Sequence, residues 1–383
     1  MDNFPYRLTR KLQKRETTNE LRALETLQGL VDFSSNDYLG LAQEPLIAEA
    51  ALQLSKVVTI NGATGSRLLS GHSALYERLE TFLAAFHGYE GATVFNSGYD
   101  ANLGVLATVP QRGDVVFYDE LSHASIRDGL RLSEAKSYKF KHNSLSDLKH
   151  KVDRFLRVNV EKDIEIYVVT ESVFSMDGDI PELQKLANFC SQHGLRLIID
   201  EAHALGVFGE GLIARLGLQH QVFGQLVTFG KALGCHGAAV LGSKTLKTFL
   251  INFSRSLIYT TALPPHTTAT IYEAYQFLGN STGKAAQQRL HALISYFKER
   301  VDTIGLTNLF VQRDAAIQVA ILGNTTLAKS WSRHLRTQNM DVRAILSPTV
   351  PVGSERLRIC LHAFNTEQEI DTLLLNLKQL RDG

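Results

Sequence analysis

Residues 195–203 read Leu195-Arg196-Leu197-Ile198-Ile199-Asp200-Glu201-Ala202-His203, a mostly apolar run that stops at two carboxylates and a histidine. A short run without polar alternation fits a strand covered on both faces. Similar runs stand at 91–95, 114–118, 165–170, 225–229 and 237–241. Helical periodicity lies between them, over 74–87, 101–108 and 182–193. Strands alternating with helices predict an α/β fold, a mostly parallel sheet with helices on both sides.

The pattern changes toward both ends. Residues 1–30 read as polar helix with scattered leucines, followed by a short strand at 30–33 and a loop rich in turn formers at 34–40. Beyond 270, one long helix over 271–304 leads to a strand at 315–322, a helix at 326–338 and strands at 342–346 and 356–361. The last helix opens on Thr366-Glu367-Gln368-Glu369, a capping box ahead of Ile370, Leu373, Leu374, Leu377 and Leu380. The β-α-β-β-α order predicts a small two-layer α+β domain. The expected division is an N-terminal arm at 1–40, a large domain at 41–275 and a small domain at 276–383.

Composition narrows the function. At 383 residues, 44% hydrophobic and 21% charged, the chain is neither disordered nor fibrous. Its 40 Lys+Arg against 39 Asp+Glu argue against a nucleic-acid partner, which needs many uncompensated cations. The basic stretch at 7–15 reads as a solvated helix face. Cys190, Cys235 and Cys360 stand far apart, so neither a disulfide framework nor a structural metal is expected. No apolar run approaches the ~20 residues of a membrane span, and Met1-Asp2-Asn3-Phe4 does not open a secretory signal. These features predict a cytoplasmic enzyme.

In α/β sheets ligands bind beyond the carboxyl ends of the strands. Four such ends carry chemistry-bearing residues. Ser97-Gly98-Tyr99 forms a Gly turn at a helix start, which is either a phosphate cradle or a plain tight turn. Asp200 ends a buried strand, as a charged ligand contact or a helix N-cap, and His203 follows as a site or core histidine. Thr228-Phe229-Gly230-Lys231 sets a lysine among apolar neighbours, where burial lowers its pKa if it is not simply a solvated loop lysine. His123, after the strand at 114–118, reads alone as structural. Together an aspartate, a histidine and a lysine at strand ends, with a Gly turn at a helix start, match the needs of pyridoxal phosphate.

Longer motifs carry a resemblance over nearly the whole chain. They are Phe33-Ser34-Ser35-Asn36-Asp37-Tyr38-Leu39-Gly40-Leu41, Gly62-Ala63-Thr64-Gly65-Ser66-Arg67, Glu171-Ser172-Val173-Phe174-Ser175-Met176-Asp177-Gly178-Asp179, Asp200-Glu201-Ala202-His203, Thr228-Phe229-Gly230-Lys231-Ala232, and Ser347-Pro348-Thr349-Val350-Pro351 with Arg356-Leu357-Arg358. With these the chain resembles the α-oxoamine synthases of the fold-type I pyridoxal-phosphate enzymes. The resemblance implies a mostly parallel seven-stranded sheet and pyridoxal 5'-phosphate as cofactor. It implies decarboxylative condensation of an amino acid with an acyl thioester, carried by CoA or an acyl carrier protein. The branch most resembled joins L-alanine to a pimeloyl thioester in biotin synthesis. Glycine with acetyl-CoA, serine with palmitoyl-CoA and glycine with succinyl-CoA are the alternatives inside the family, and a catalytically silent subunit is the alternative outside it. A dinucleotide-binding fold is disfavoured, because no Gly-x-Gly-x-x-Gly follows the early strands.

Residue by residue, the resemblance implies that Lys231 forms the Schiff base and moves the Cα proton. Asp200 would salt-bridge the pyridine nitrogen, His203 would bond the ring hydroxyl oxygen, and His123 would stack on the ring. Ser97, Gly98, Tyr99, Thr228 and Ser175 would line the cofactor. Thr260 and Thr261 would reach the phosphate of a partner subunit, making a homodimer with a shared active site. Arg22, Asn36, Thr349 and Arg358 are the implied substrate contacts. One departure stands out: where many members carry an arginine two residues before Pro348, this chain has Leu346. That leaves Arg358 to hold the amino-acid carboxylate, since an aliphatic side chain cannot replace a guanidinium.

Overall fold

The computed structural model describes residues 4–18, 20–24, 29–56, 60–159, 163–311 and 313–383. The N-terminal helix covers only Tyr6–Thr17, shorter than the sequence pattern predicts, and none of its residues is buried. Thr17 and Thr18 turn their hydroxyls back onto the Lys14 carbonyl, both at 2.9 Å, which competes with continuation of the helix.

Strand β1 (Val31–Asp32) leaves the N-terminal segment and pairs in parallel with β11 (Met340–Asp341). The large sheet holds β2 (Gly91–Phe95), β3 (Val115–Asp119), β4 (Lys136–Phe140), β5 (Ile166–Glu171), β6 (Arg196–Asp200), β7 (Gly224–Thr228) and β8 (Ala238–Gly242). Their order is β2-β8-β7-β6-β5-β3-β4. Strand β8 runs antiparallel to both its neighbours, β2 and β7, and the other pairings in this sheet are parallel. Within one strand, successive side chains enter different cores. Leu197 and Ile199 pack into the cluster on one face, while Ile198 joins Val116, Val169 and Leu226 on the other. That is why these strands read as unbroken apolar runs. Strand β4 escaped the sequence reading because it is the sheet edge and Lys136, Ser137, Tyr138 and Lys139 are exposed.

The expected single helix at 271–304 is two helices, Pro265–Gly279 and Ser281–Thr303. They break at Asn280, whose side chain accepts the Gly283 N–H at 2.9 Å and so caps the second helix. The small domain carries an antiparallel sheet, β12-β13-β10-β9, built from β9 (Phe310–Val311), β10 (Ile317–Ile321), β12 (Arg343–Ile345) and β13 (Arg356–Cys360). Its last helix, Glu367–Asp382, starts with the expected capping box: Glu369 N–H bonds Thr366 Oγ1 and Thr366 N–H bonds Glu369 Oε2.

The loop at 33–38 is laid along β13. Cys360 N–H donates to the Phe33 carbonyl and Ala363 N–H to the Tyr38 carbonyl, both at 2.8 Å. This brings the turn-forming loop and the end of the small-domain sheet over the carboxyl ends of β5, β6 and β7.

Candidate active site

Lys231 follows β7 by a tight loop. Gly234 in that loop has φ +61°, and a Cβ there would come within 2.1 Å of the Ala42 backbone, so only glycine closes the turn. The Lys231 Nζ lies 2.6 Å from His203 Nε2. His203 Nδ1 lies 2.7 Å from Tyr38 Oη, and the Tyr38 hydroxyl donates to Asn36 Oδ1 at 3.0 Å. With that proton committed to Asn36, His203 Nδ1 is the donor to Tyr38 and Nε2 faces Lys231 as an acceptor. Burial, then the Lys231 charge, holds the His203 pKa well below the usual histidine value, consistent with a neutral ring. Burial also pushes Lys231 down to about 8, against the opposing pull of Asp200 and Glu171.

Asp200, at the end of β6, is buried. It accepts the Ala202 N–H at 2.8 Å and Asn102 Nδ2 at 2.6 Å. Among the described residues no cation pairs with it. A buried carboxylate held by neutral donors fits a protonated pyridine nitrogen. Glu171, its register neighbour on β5, accepts the His123 backbone N–H at 2.6 Å. Burial, then Asp200, raises its pKa to about 8. His123 Nδ1 lies 2.8 Å from Ser125 Oγ, which Asn102 Nδ2 also contacts at 3.1 Å. One amide therefore links the His123 ring to the Asp200 carboxylate, and the exposed His123 ring is free to stack.

The remaining expected cofactor residues stand at the start of the helix Gly98–Leu106. Ser97 caps it, accepting the Asp100 N–H at 3.0 Å. The N–H groups of Gly98 and Tyr99 have no carbonyl to bond inside the helix. Thr228 flanks Gly98, 3.5 Å from where a Cβ would stand. Asn96 Nδ2 donates to Thr260 Oγ1 at 3.1 Å and to the Thr261 carbonyl at 2.8 Å, which places both threonines beside this turn in their own chain.

Arg358 on β13 is 7% exposed, and among the described residues no carboxylate pairs with it. Its Nε donates to the Ser175 carbonyl at 2.7 Å, its Nη1 to Cys360 Sγ at 2.9 Å, and its Nη2 to Asn36 Oδ1 at 3.0 Å and Tyr38 Oη at 3.4 Å. Short contacts thus join Lys231, His203, Asn36, Arg358 and Ser175 in one network and His123 and Asp200 in a second. Ser97, Gly98, Tyr99, Thr228, Thr260 and Thr261 gather at the helix start. Arg22 and Thr349 are exposed and make no described contact with either group, and Leu346 is half-buried on the segment after β12. Sequence reasoning gave no role to Tyr38, Asn102 and Glu171. Glu171 had a signal, a carboxylate closing a buried strand just as Asp200 does. Asn102, one helical turn past the Gly98 start, had none.

This fold and this lysine–aspartate site define a cofactor-dependent transferase, and the chain belongs to the aminotransferase class I and II family, whose pattern matches residues 28–377. Among its relatives is the 8-amino-7-oxononanoate synthase of Emericella nidulans, 40% identical over 390 residues, covering 96% of this chain and 93% of that protein. The solved 8-amino-7-oxononanoate synthase of Francisella tularensis superposes with a TM-score of 0.76 at 28% identity, over 93% of this chain and 99% of that one. Serine palmitoyltransferase from S. paucimobilis, with bound PLP–myriocin aldimine, gives 0.87 at 26% identity, over 98% and 97%. The resemblance to the α-oxoamine synthases holds.

Proposed function

We propose that this chain condenses L-alanine with a pimeloyl thioester of CoA or an acyl carrier protein, releasing carbon dioxide and the thiol and giving 8-amino-7-oxononanoate for biotin synthesis. The chain is a pyridoxal-phosphate-dependent acyltransferase. Bound at this site, the cofactor supplies an aldehyde for the amino group and a ring that withdraws electrons from Cα. Asp200, fixed by Asn102 and the Ala202 N–H, holds the proton on the ring nitrogen. Ser97, Gly98, Tyr99 and Thr228 hold the phosphate, and His123 covers the ring face. Lys231, poised near neutrality, removes the Cα proton and returns one to the product, with His203 as its acceptor neighbour.

The observation that carries the substrate reading is Arg358, a buried guanidinium beside the reactive lysine with no carboxylate partner among the described residues. Leaving such a charge unpaired is costly, so the pocket is built for an incoming carboxylate. Asn36 and Tyr38 fix its plane. Thr349 and Arg22 are further substrate contacts in this reading. The working unit is a homodimer whose two active sites meet at the interface, so that Thr260 and Thr261, beside the Gly98 turn of their own chain, also reach the partner's phosphate. The exposed Leu69 (85%) and Tyr259 (72%) support a protein surface there. Among the described residues no helix is long and apolar enough to cross a membrane.

A thiol-release assay decides the substrates. L-alanine, glycine and L-serine are each offered with acetyl, succinyl, pimeloyl and palmitoyl thioesters, and the product mass is read. Release with L-alanine and a pimeloyl donor alone is expected. The higher TM-score with serine palmitoyltransferase, 0.87 against 0.76, favours L-serine with a palmitoyl donor as the second reading. Turnover of that pair in place of the first overturns the proposal but not the cofactor chemistry.

A further inference from the structure

One charged cluster beneath the site takes no part in the chemistry above. His142, just after β4, places Nδ1 2.9 Å from Asp119 Oδ1 and Nε2 2.7 Å from Asp179 Oδ2. Carboxylates only accept, so both ring nitrogens carry protons and His142 is an imidazolium. Burial alone would lower its pKa, but the hydrogen bonds and charges of the two aspartates push it up to about 10. Asn143 completes the clasp, its N–H donating to Asp119 Oδ2 at 2.8 Å and its Nδ2 to Asp179 Oδ2 at 2.5 Å. The Phe174 ring meets the imidazolium edge-on at 4.5 Å.

Phe174 and Asp179 bound a loop closed on itself. Phe174 N–H donates to the Asp179 carbonyl at 3.0 Å and Gly178 N–H to the Phe174 carbonyl at 2.8 Å. Three small-domain arginines grip the loop from the other side. Arg313 Nε donates to the Asp177 carbonyl at 3.3 Å, Arg356 pairs with the Asp177 carboxylate, and Arg358 Nε takes the Ser175 carbonyl. Gly178 has φ +68°, and a Cβ there would come within 2.5 Å of the Ile317 carbonyl, so the loop presses directly on β10.

We infer that His142 is a positioning residue for the amino-acid carboxylate. It pegs the loop at 174–179 to the large domain, and the Ser175 carbonyl of that loop sets the direction in which Arg358 offers the N–H not taken by Ser175, Cys360, Asn36 and Tyr38. The inference rests on the reading of Arg358 as the carboxylate site. Small displacements of such a guanidinium are costly because a charge-assisted hydrogen bond weakens steeply with distance and angle. The effect falls on amino-acid binding more than on proton transfer, since His142 touches neither Lys231 nor Asp200.

The test is a double-mutant cycle on the cofactor-loaded enzyme, titrating L-alanine against the cofactor absorbance without thioester. His142→Asn is expected to keep the cofactor stoichiometry and to raise the L-alanine dissociation constant about tenfold. In an Arg358→Lys background, which itself weakens L-alanine binding, the same change is expected to add less than about twofold. Equal losses in both backgrounds, or unchanged affinity in His142→Asn while Arg358→Lys is weakened, overturn the inference alone. Unchanged affinity in Arg358→Lys overturns the carboxylate reading and the inference with it. Should His142→Asn fail to fold, Asp179→Asn removes the other half of the clasp and is measured in the same cycle, with the same outcomes expected.

Discussion

Two histidines lie near the carboxyl ends of one sheet and are held in opposite charge states. His203 stands between the Lys231 amine and the Tyr38 hydroxyl, and burial keeps it neutral. His142 stands between Asp119 and Asp179 and stays charged up to about pH 10. The residue type is the same and both rings are largely enclosed. What differs is the charge of the partners, and with it the work each ring can do. A neutral ring beside a lysine can accept a proton's hydrogen bond during turnover. An imidazolium between two anions is a fixed tie. At the reaction centre burial depresses His203 and Lys231, while the clasp beneath it holds His142 charged between two anions.

That contrast can be broken at several points. The largest effect belongs to the reaction centre. Lys231→Ala is expected to lower thiol release by about 10⁴-fold, the scale of a lost acid–base group, with an unchanged circular dichroism spectrum. Residual activity near wild type would remove Lys231 from the chemistry. Arg358→Lys keeps the charge but loses the fork, and its KM for the amino acid should rise about 10- to 100-fold, with kcat changed less.

A smaller effect sharpens the role of Asp200. Its charge opposes the burial that depresses Lys231. In Asp200→Asn the Lys231 pKa should fall further, by about one unit, read as the pH profile of amine acylation in cofactor-free protein. A profile that moves toward higher pH contradicts the assigned balance.

The smallest effects are on stability, and here the two histidines should differ in sign. His142 has a folded pKa above its unfolded value of ~6.5. Its contribution is fully present below ~6.5 and fades as pH rises through about 10. The melting-temperature gap between wild type and His142→Asn should close over that window. His203 has a folded pKa below the unfolded one, so the unfolded state binds more protons as pH falls through ~6.5 and the fold loses stability there. His203→Asn should flatten that acid-side loss. Parallel slopes for the two variants would refute the opposite charge states.

Much of the site was legible because its residues close short apolar strands. Asp200 ends β6, Lys231 follows β7, and His203 comes three residues after Asp200. The Gly98 turn was visible as a helix start, and the cap at Thr366 formed as its residues dictate. Other features had no such signal. Strand β4 is polar because it is an edge, and β9 is two residues long. The break at Asn280 was hidden by helical periodicity that continues on both sides of it. Asn102 and Tyr38 sit in ordinary local sequence, and nothing nearby marks them as partners of Asp200 and His203.

Local sequence by itself determined the alternation of strand and helix, the caps, and which reactive side chains stand at strand ends. These depend on periodicity and on neighbours within a few residues. The tertiary structure alone decided the charge states and the pairings: that Arg358 is buried with no carboxylate partner among the described residues, that Lys231 meets His203, and that His142 lies between Asp119 and Asp179. Those follow from burial and from contacts as far apart as Asn36 and Arg358, whose energies depend on distance in space and on the exclusion of water.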